Sequence, residues 1–196
     1  MKKDKENYYN KTKNMPPNDN IVKFLNLNIE PKIAIDIGCG AGRDTITLLK
    51  HKWEVLAIDT ENTEGIIREQ LSKEEQKRFA FQKSTFGAMN LPSSNLIVAN
   101  YSLPFAKIDY WDLIWNKINN SLLSGGYFVG NFFGKKDSWT ESKKDLIFLS
   151  ESEIRNLFTN FEIMQFNEIE KDGETASREE KHWHIYDIIA KRNPSN

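Results

Sequence analysis

The residues best suited to chemistry are concentrated at Asp36-Ile37-Gly38-Cys39-Gly40-Ala41-Gly42, where an apolar run breaks into alternating glycines ahead of a helix-compatible stretch. Glycines permit a tight turn whose backbone approaches a ligand closely, and the helix start beyond it presents free N–H groups. A second acid, Asp59, closes the next apolar run, 21 positions after Gly38. At that offset a carboxylate can accept hydrogen bonds from ribose hydroxyls, so the two features together point to a nucleoside-bearing cofactor. The spacing is G-x-G-x-G, with Arg43 where a dinucleotide fingerprint has its third glycine. Asp36 adds negative charge beside the loop, which suits a sulfonium with an amino-acid tail better than a pyrophosphate. Thr60, next to Asp59, joins the cofactor set.

The elements that must position these residues follow from the apolar pattern. Alternating short apolar runs and amphipathic stretches predict a mostly parallel α/β sheet. Strands are predicted at 33–37, 55–58, 79–82, 96–99 and 127–133, and the continuous apolar run 96–99 reads as a central strand buried on both faces. A helix is predicted over 43–51, its basic end at Lys50 and His51, and Glu61 and Glu64 suit the first turn of another. Trp111, Ile114, Trp115, Ile118 and Leu122 recur at helical spacing and predict an apolar stripe on the sheet, stopped by Ser124-Gly125-Gly126. Ser72 with Glu75, and Ser150 with Glu153, have capping-box spacing. The last two strands, 161–166 and 182–190, are separated by the polar stretch 168–181. No helix is evident there to return the chain for parallel pairing, so they are predicted to be antiparallel neighbours.

The bulk composition narrows the function. A length of 196 residues with 39% hydrophobic content supports one core, read as a polar arm over 1–20 and a single domain over 21–196. Lys and Arg number 27 against 28 Asp and Glu, so no excess positive field gathers phosphates and a nucleic-acid partner is disfavoured. No segment approaches the ~20 apolar residues of a membrane span, and the arm lacks a signal peptide's apolar centre; a cytoplasmic protein without a membrane partner is expected. One cysteine and three histidines give no zinc-finger spacing, so metal-independent chemistry is expected. Cys39 reads as a small packed residue rather than a nucleophile, and the run from Arg178 to Lys181 as solvated surface charge.

Over nearly its whole length the sequence resembles the class I S-adenosylmethionine-dependent methyltransferases. Asp36 through Gly42 resembles that family's first motif, and Ala57-Ile58-Asp59 its second, whose acid holds the cofactor ribose. The resemblance implies a Rossmann-like seven-stranded sheet of order 3-2-1-4-5-7-6, the last strand antiparallel, with helices on both faces. It also implies S-adenosylmethionine as cofactor and S-adenosylhomocysteine as product. Thr85 and Phe86 fall where the family places adenine contacts, and Asn100 and Tyr101 follow strand four at the cofactor. The segment Asn100-Tyr101-Ser102-Leu103-Pro104-Phe105 departs from the pattern of amino-group methyltransferases of DNA or RNA.

Within the class the chain is most similar to the small branch that includes the tellurite-resistance methyltransferases. Tyr8-Tyr9, Ser102 to Phe105, Gly134 to Trp139 and Lys181-His182-Trp183-His184 carry that likeness. It implies a small-molecule acceptor, such as a thiol or chalcogen oxyanion, that attacks the cofactor's methyl group in line. In that fold the final strand starts at the cofactor rim, which would bring His182 and His184 to the methyl with Glu168 as acid–base groups, while Trp183 turns to the core. Trp139 would wall the acceptor pocket, and Tyr8 and Tyr9 would close over it on the arm. Two alternatives share the glycine loop: a module that binds the cofactor without catalysis, and an NAD-dependent oxidoreductase, which the Arg43 position disfavours.

Overall fold

The structure, a computed structural model, describes Tyr9 and residues 11–175 and 178–194. Its strands are β1 (Ile33–Ile37), β2 (Glu54–Asp59), β3 (Phe79–Lys83), β4 (Ser94–Ala99), β5 (Leu122–Gly134), β6 (Phe148–Leu149), β7 (Phe161–Glu174) and β8 (Glu180–Arg192). They form one sheet of order β3-β2-β1-β4-β5-β8-β7, with the two-residue β6 paired to β5 off this path. β1 to β5 pair in parallel, and β8 runs antiparallel to both β5 and β7. With β6 set aside, this is the 3-2-1-4-5-7-6 order that the family resemblance implied.

Helices cover both faces: α1 (Asp19–Leu25), α2 (Arg43–Lys50), α3 (Glu64–Arg68), α4 (Lys73–Gln76), α5 (Trp111–Ser121), α6 (Trp139–Ser142) and α7 (Glu151–Leu157). Successive strand residues point to opposite faces, so a strand covered on both sides must be apolar throughout. In β4, Leu96 and Val98 join one buried cluster with Leu48 and Phe24, while Ile97 and Ala99 join the other with Trp115 and Phe128. The stripe of α5 buries Trp111, Ile114, Trp115 and Ile118 as its spacing predicted. The helix ends at Ser121 because Leu122 pairs with Ser94 and enters the sheet. Both predicted capping boxes form, at Ser72 with Glu75 and at Ser150 with Glu153.

The polar stretch 168–181 is not a connection. β7 and β8 continue as a long antiparallel pair whose register runs to Glu174 opposite Glu180. Its polar residues are held by cross-strand contacts, His182 Nδ1 lying 2.7 Å from Asp172 and Nε2 3.5 Å from Glu170. Charged pairs facing each other on a solvated sheet face support a strand without apolar alternation. Lys181 is likewise not surface charge, being 4% exposed. Among the described residues, no helix is long and apolar enough to cross a membrane.

Candidate active site

β1 ends in the glycine loop, and its turn is shaped by backbone that only glycine adopts comfortably. Gly38 and Gly42 have φ of 74° and 87°. A Cβ on Gly38 would lie 2.4 Å from Ser102 Cβ, and one on Gly42 would lie 2.6 Å from Ile67. Gly38 therefore lets the end of β4 approach the loop, while Gly42 seats α2 against α3. The Gly38 and Cys39 N–H groups donate to the Ile58 carbonyl, tying the loop to β2. Asp59 completes the tie: its Oδ2 accepts the Gly40 N–H at 2.9 Å and its Oδ1 the Glu61 N–H at 2.9 Å. Oδ1 is also within 3.4 Å of the Thr60 hydroxyl and 3.5 Å of the Tyr9 hydroxyl. Oδ2 has the Gly40 N–H alone among the described residues, and with about two lone-pair sites per oxygen it is Oδ2 that keeps acceptor capacity for a ligand.

A cavity of about 980 Å³ opens over this loop. Asp36, Gly38, Cys39, Gly40, Asp59, Thr60, Phe86, Asn100 and Tyr101 line it, all named by the sequence reading as cofactor residues. Asp36 is 3% exposed and accepts the Thr45 hydroxyl at 2.6 Å. Burial, reinforced by the neighbouring Asp44 carboxylate, pushes its pKa up to about 7. Asp44 is pinned by the Asn18 backbone N–H and amide and by the Asn100 amide, at 2.9, 2.6 and 2.9 Å. Burial pushes the Cys39 thiol up, which keeps it in its poorly nucleophilic protonated form. Gly42 lies behind the loop rather than on the cavity, and Thr85 points to solvent; its neighbours Ser84 and Phe86 line the cavity instead. Residues 84–86 turn after β3, so adjacent side chains diverge there.

The arm reaches the same space. Tyr9, Thr12, Met15 and Asn18 line the cavity, and the Tyr9 hydroxyl lies 3.5 Å from Asp59 Oδ1. Tyr8 lies outside the described residues.

The predicted acid–base group is not assembled at the cavity. Neither His182, His184 nor Glu168 lines it, whereas Trp183, assigned from sequence to the core, does. The register explains the inversion: Ile185 sits opposite Phe133 on β5, so Trp183 and Ile185 share the cavity face and the two histidines take the other. There His184 is 2% exposed and packs over Gly134, whose added Cβ would fall 2.0 Å from its ring. The Lys136 backbone N–H donates to His184 Nδ1 at 3.1 Å, which places the proton on Nε2, 2.8 Å from Glu168 Oε1. That hydrogen bond holds the Glu168 carboxyl below the usual range. Glu168, Glu170 and His184 bring ligand atoms within 4.8 Å of one another, in a grouping that could suit a metal ion. The Lys136 ammonium already lies 2.6 Å from Glu170, and the Nε2 proton is turned toward Glu168, so the cluster's charges are met internally.

Residues that sequence reasoning missed form the other end of the cavity. Phe105, Phe133, Trp139 and Trp183 gather there with Tyr101; only Trp139 was named from sequence as a pocket wall. Tyr101 has φ of 51° and is held by its N–H donating to Asn131 Oδ1 at 2.8 Å. Ser102 is 4% exposed and its hydroxyl oxygen has no hydrogen-bond partner among the described residues. An acid-lined glycine cradle, a carboxylate with spare acceptor capacity and an unsatisfied buried hydroxyl together fit a polar, positively charged nucleoside ligand.

Comparison with known proteins agrees with this geometry. The family model described as Tellurite resistance protein TehB matches residues 1–183. Among solved structures, the chain is similar to TehB from Haemophilus influenzae, at 19% identity and a TM-score of 0.76, over 96% of this chain and 67% of that one. It is also similar to the 1,6-didemethyltoxoflavin-N1-methyltransferase of Burkholderia thailandensis, solved with 1,6-didemethyltoxoflavin and S-adenosylhomocysteine bound (16% identity, TM-score 0.67, 89% and 76% covered). A third is the N-methyltransferase NodS of Bradyrhizobium japonicum in complex with S-adenosylhomocysteine (15%, 0.67, 88% and 83%). A sequence comparison with curated proteins gave no match. With its model matched over residues 1–183, the chain belongs to the tellurite resistance protein TehB family and is an S-adenosylmethionine-dependent methyltransferase.

Proposed function

We propose that this enzyme methylates a soft small-molecule nucleophile, a thiol or a chalcogen oxyanion, by in-line displacement. The observation that carries the reading is the make-up of the cavity wall. No histidine is among the described residues that line it, and its carboxylates belong to the glycine-loop end or to the hairpin of β7 and β8. An acceptor that arrives already deprotonated needs positioning more than a general base.

S-adenosylmethionine supplies an electrophilic methyl group on a sulfonium. Asp59 would hold the ribose, the backbone of residues 38–40 would cradle the ligand, and Asp36 would face its positive end. The aromatic end excludes water and aligns the acceptor, which strengthens the electrostatic hold of Asp36. The test is calorimetric titration with S-adenosylmethionine, S-adenosylhomocysteine and NAD in parallel, followed by an assay of S-adenosylhomocysteine release with thiols and tellurite. Micromolar binding of the first two, with turnover, supports the reading. Binding without turnover on any acceptor would instead describe a non-catalytic module, and binding of NAD alone would overturn it.

Asp36 makes cofactor affinity pH-dependent. A bound cation favours the ionised carboxylate, so affinity is expected to rise about tenfold from pH 6 to pH 8 as the group loses its proton near pH 7. The stability of the free protein moves the other way. The folded state holds this proton between 3.8 and about 7 where the unfolded chain does not, so Asp36 makes stability fall as pH rises through that window. Asp36→Asn is expected to flatten the affinity profile; an unchanged tenfold rise in the variant, measured by calorimetry, would locate the titrating group elsewhere.

A further inference from the structure

Five rings close one end of the cavity. Phe133, 1% exposed, is their centre, and the ring centroids of Tyr101, Phe105, Trp139 and Trp183 lie 5.9 to 6.4 Å from its own. These four rings line the cavity, Tyr101 at 38% and Phe105 at 48% exposure, so aromatic surface faces the space in which an acceptor must sit. Positive charge accompanies the rings. Lys143 Nζ, on the cavity wall, lies 3.5 Å from the Trp139 ring centre; the buried Lys181 Nζ, 4.3 Å from Trp139 and 4.2 Å from Trp183, is neutralised by its contact with Asp137 and lies behind the rings rather than on the wall. The cavity of about 980 Å³ also takes in the glycine-loop end proposed for the cofactor, so the rings bound only the remaining part of it. An acceptor of a few atoms would leave most of this wall in contact with water. A flat, apolar, anionic body would cover it and gain ring–ring contacts.

We propose that the methyl acceptor is an aromatic thiolate whose ring lies against Tyr101, Phe105, Trp139 and Trp183. The proposal rests on the methyl-transfer reading and narrows its acceptor class. The thiolate sulfur donates an electron pair to the methyl carbon, an S–CH3 bond forms as the bond to the sulfonium sulfur breaks, and an aryl methyl thioether and S-adenosylhomocysteine leave. The thiolate's negative charge and the sulfonium's positive charge are consumed together, so no proton moves. Arenethiols ionise at lower pH than alkanethiols, which agrees with a cavity wall whose described residues include no histidine. Their thiolates are also intrinsically weaker nucleophiles, so an enzymatic preference for them would report binding by the wall.

The experiment has two readouts. In the first, S-adenosylhomocysteine release is followed with 2-naphthalenethiol, thiophenol, 2-mercaptoethanol and tellurite, with thiol rates compared at equal thiolate concentration. In the second, tryptophan fluorescence of the protein saturated with S-adenosylhomocysteine is titrated with 2-naphthalenethiol. Expected are a kcat/KM for the arenethiols at least about tenfold above that for 2-mercaptoethanol and above tellurite, and saturable quenching. Phe105→Ala, at an exposed position, and Trp183→Leu are expected to weaken quenching and erase the aryl preference while cofactor affinity by calorimetry holds. Equal or faster turnover of 2-mercaptoethanol or tellurite, or cofactor binding with no arenethiol turnover, overturns the proposal and leaves cofactor assignment standing. Failure to bind S-adenosylmethionine at all overturns the methyl-transfer reading and the proposal with it.

Discussion

Replacing Asp59 by Ala is expected to raise the dissociation constant for S-adenosylmethionine about 100-fold, equivalent to ~2.7 kcal/mol. The carboxylate has two tasks. It accepts the Gly40 and Glu61 N–H groups at 2.9 Å each, which fixes the glycine loop against the end of β2. It also retains acceptor capacity toward the cavity, where hydrogen bonds from ribose hydroxyls to a charged group are worth about 1.5–3 kcal/mol apiece. The alanine variant loses both the ligand contacts and the acceptors that order the loop. Asp59→Asn keeps one acceptor oxygen and is expected to fall between, about tenfold weaker than the natural protein. Calorimetry measures the constants, and urea unfolding shows whether the variants remain folded. A constant for the alanine variant close to that of the natural protein, in a folded protein, would remove Asp59 from the ribose site.

The place of Asp59 beside the glycine loop was legible in the sequence because it is set locally. A strand, a glycine turn and an acid at a fixed offset constrain one another along the chain, and the central strands announce themselves by apolar runs that both faces require. The acceptor end was not legible, because its residues come from β5, β8, α6 and the turn after β4, and meet only through sheet register. In His182-Trp183-His184 the period of two is plain, but the sequence does not say which face the cavity occupies. Chemical expectation favoured the histidines, whereas the pairing of Ile185 with Phe133 gives that face to the tryptophan. The polar stretch 168–181 misled for a related reason: cross-strand charge pairs such as His182 with Asp172 take the place of apolar alternation. Lys181 was hidden inside a charged run, although the tryptophans around it supply the surface that buries it.

Lys181→Met is expected to destabilise the protein by about 3–5 kcal/mol, the cost of leaving one partner of a buried ion pair uncompensated. The side chains of Lys181 and Asp137 are both fully buried and in direct contact. Asp137 also accepts the Trp139 N–H at 3.0 Å and the His184 N–H at 3.3 Å, so the pair joins the turn after β5 to the start of β8. Methionine fills much of the lysine's volume and keeps contact with the rings, so the loss reports charge rather than a void. The double variant Lys181→Met with Asp137→Asn removes the stranded carboxylate while retaining an acceptor for the Trp139 N–H. It is therefore expected to be more stable than Lys181→Met alone, a sign that packing loss cannot produce. Urea unfolding of the two variants checks both values, and a single variant within about 1 kcal/mol of the natural protein would show that the pair contributes little. Cofactor affinity, which the proposed reading assigns to the glycine loop and Asp59, is expected to persist in any variant that stays folded. Acceptor turnover is expected to fall, because the pair anchors Trp139 and Trp183 at the end of the cavity remote from that loop.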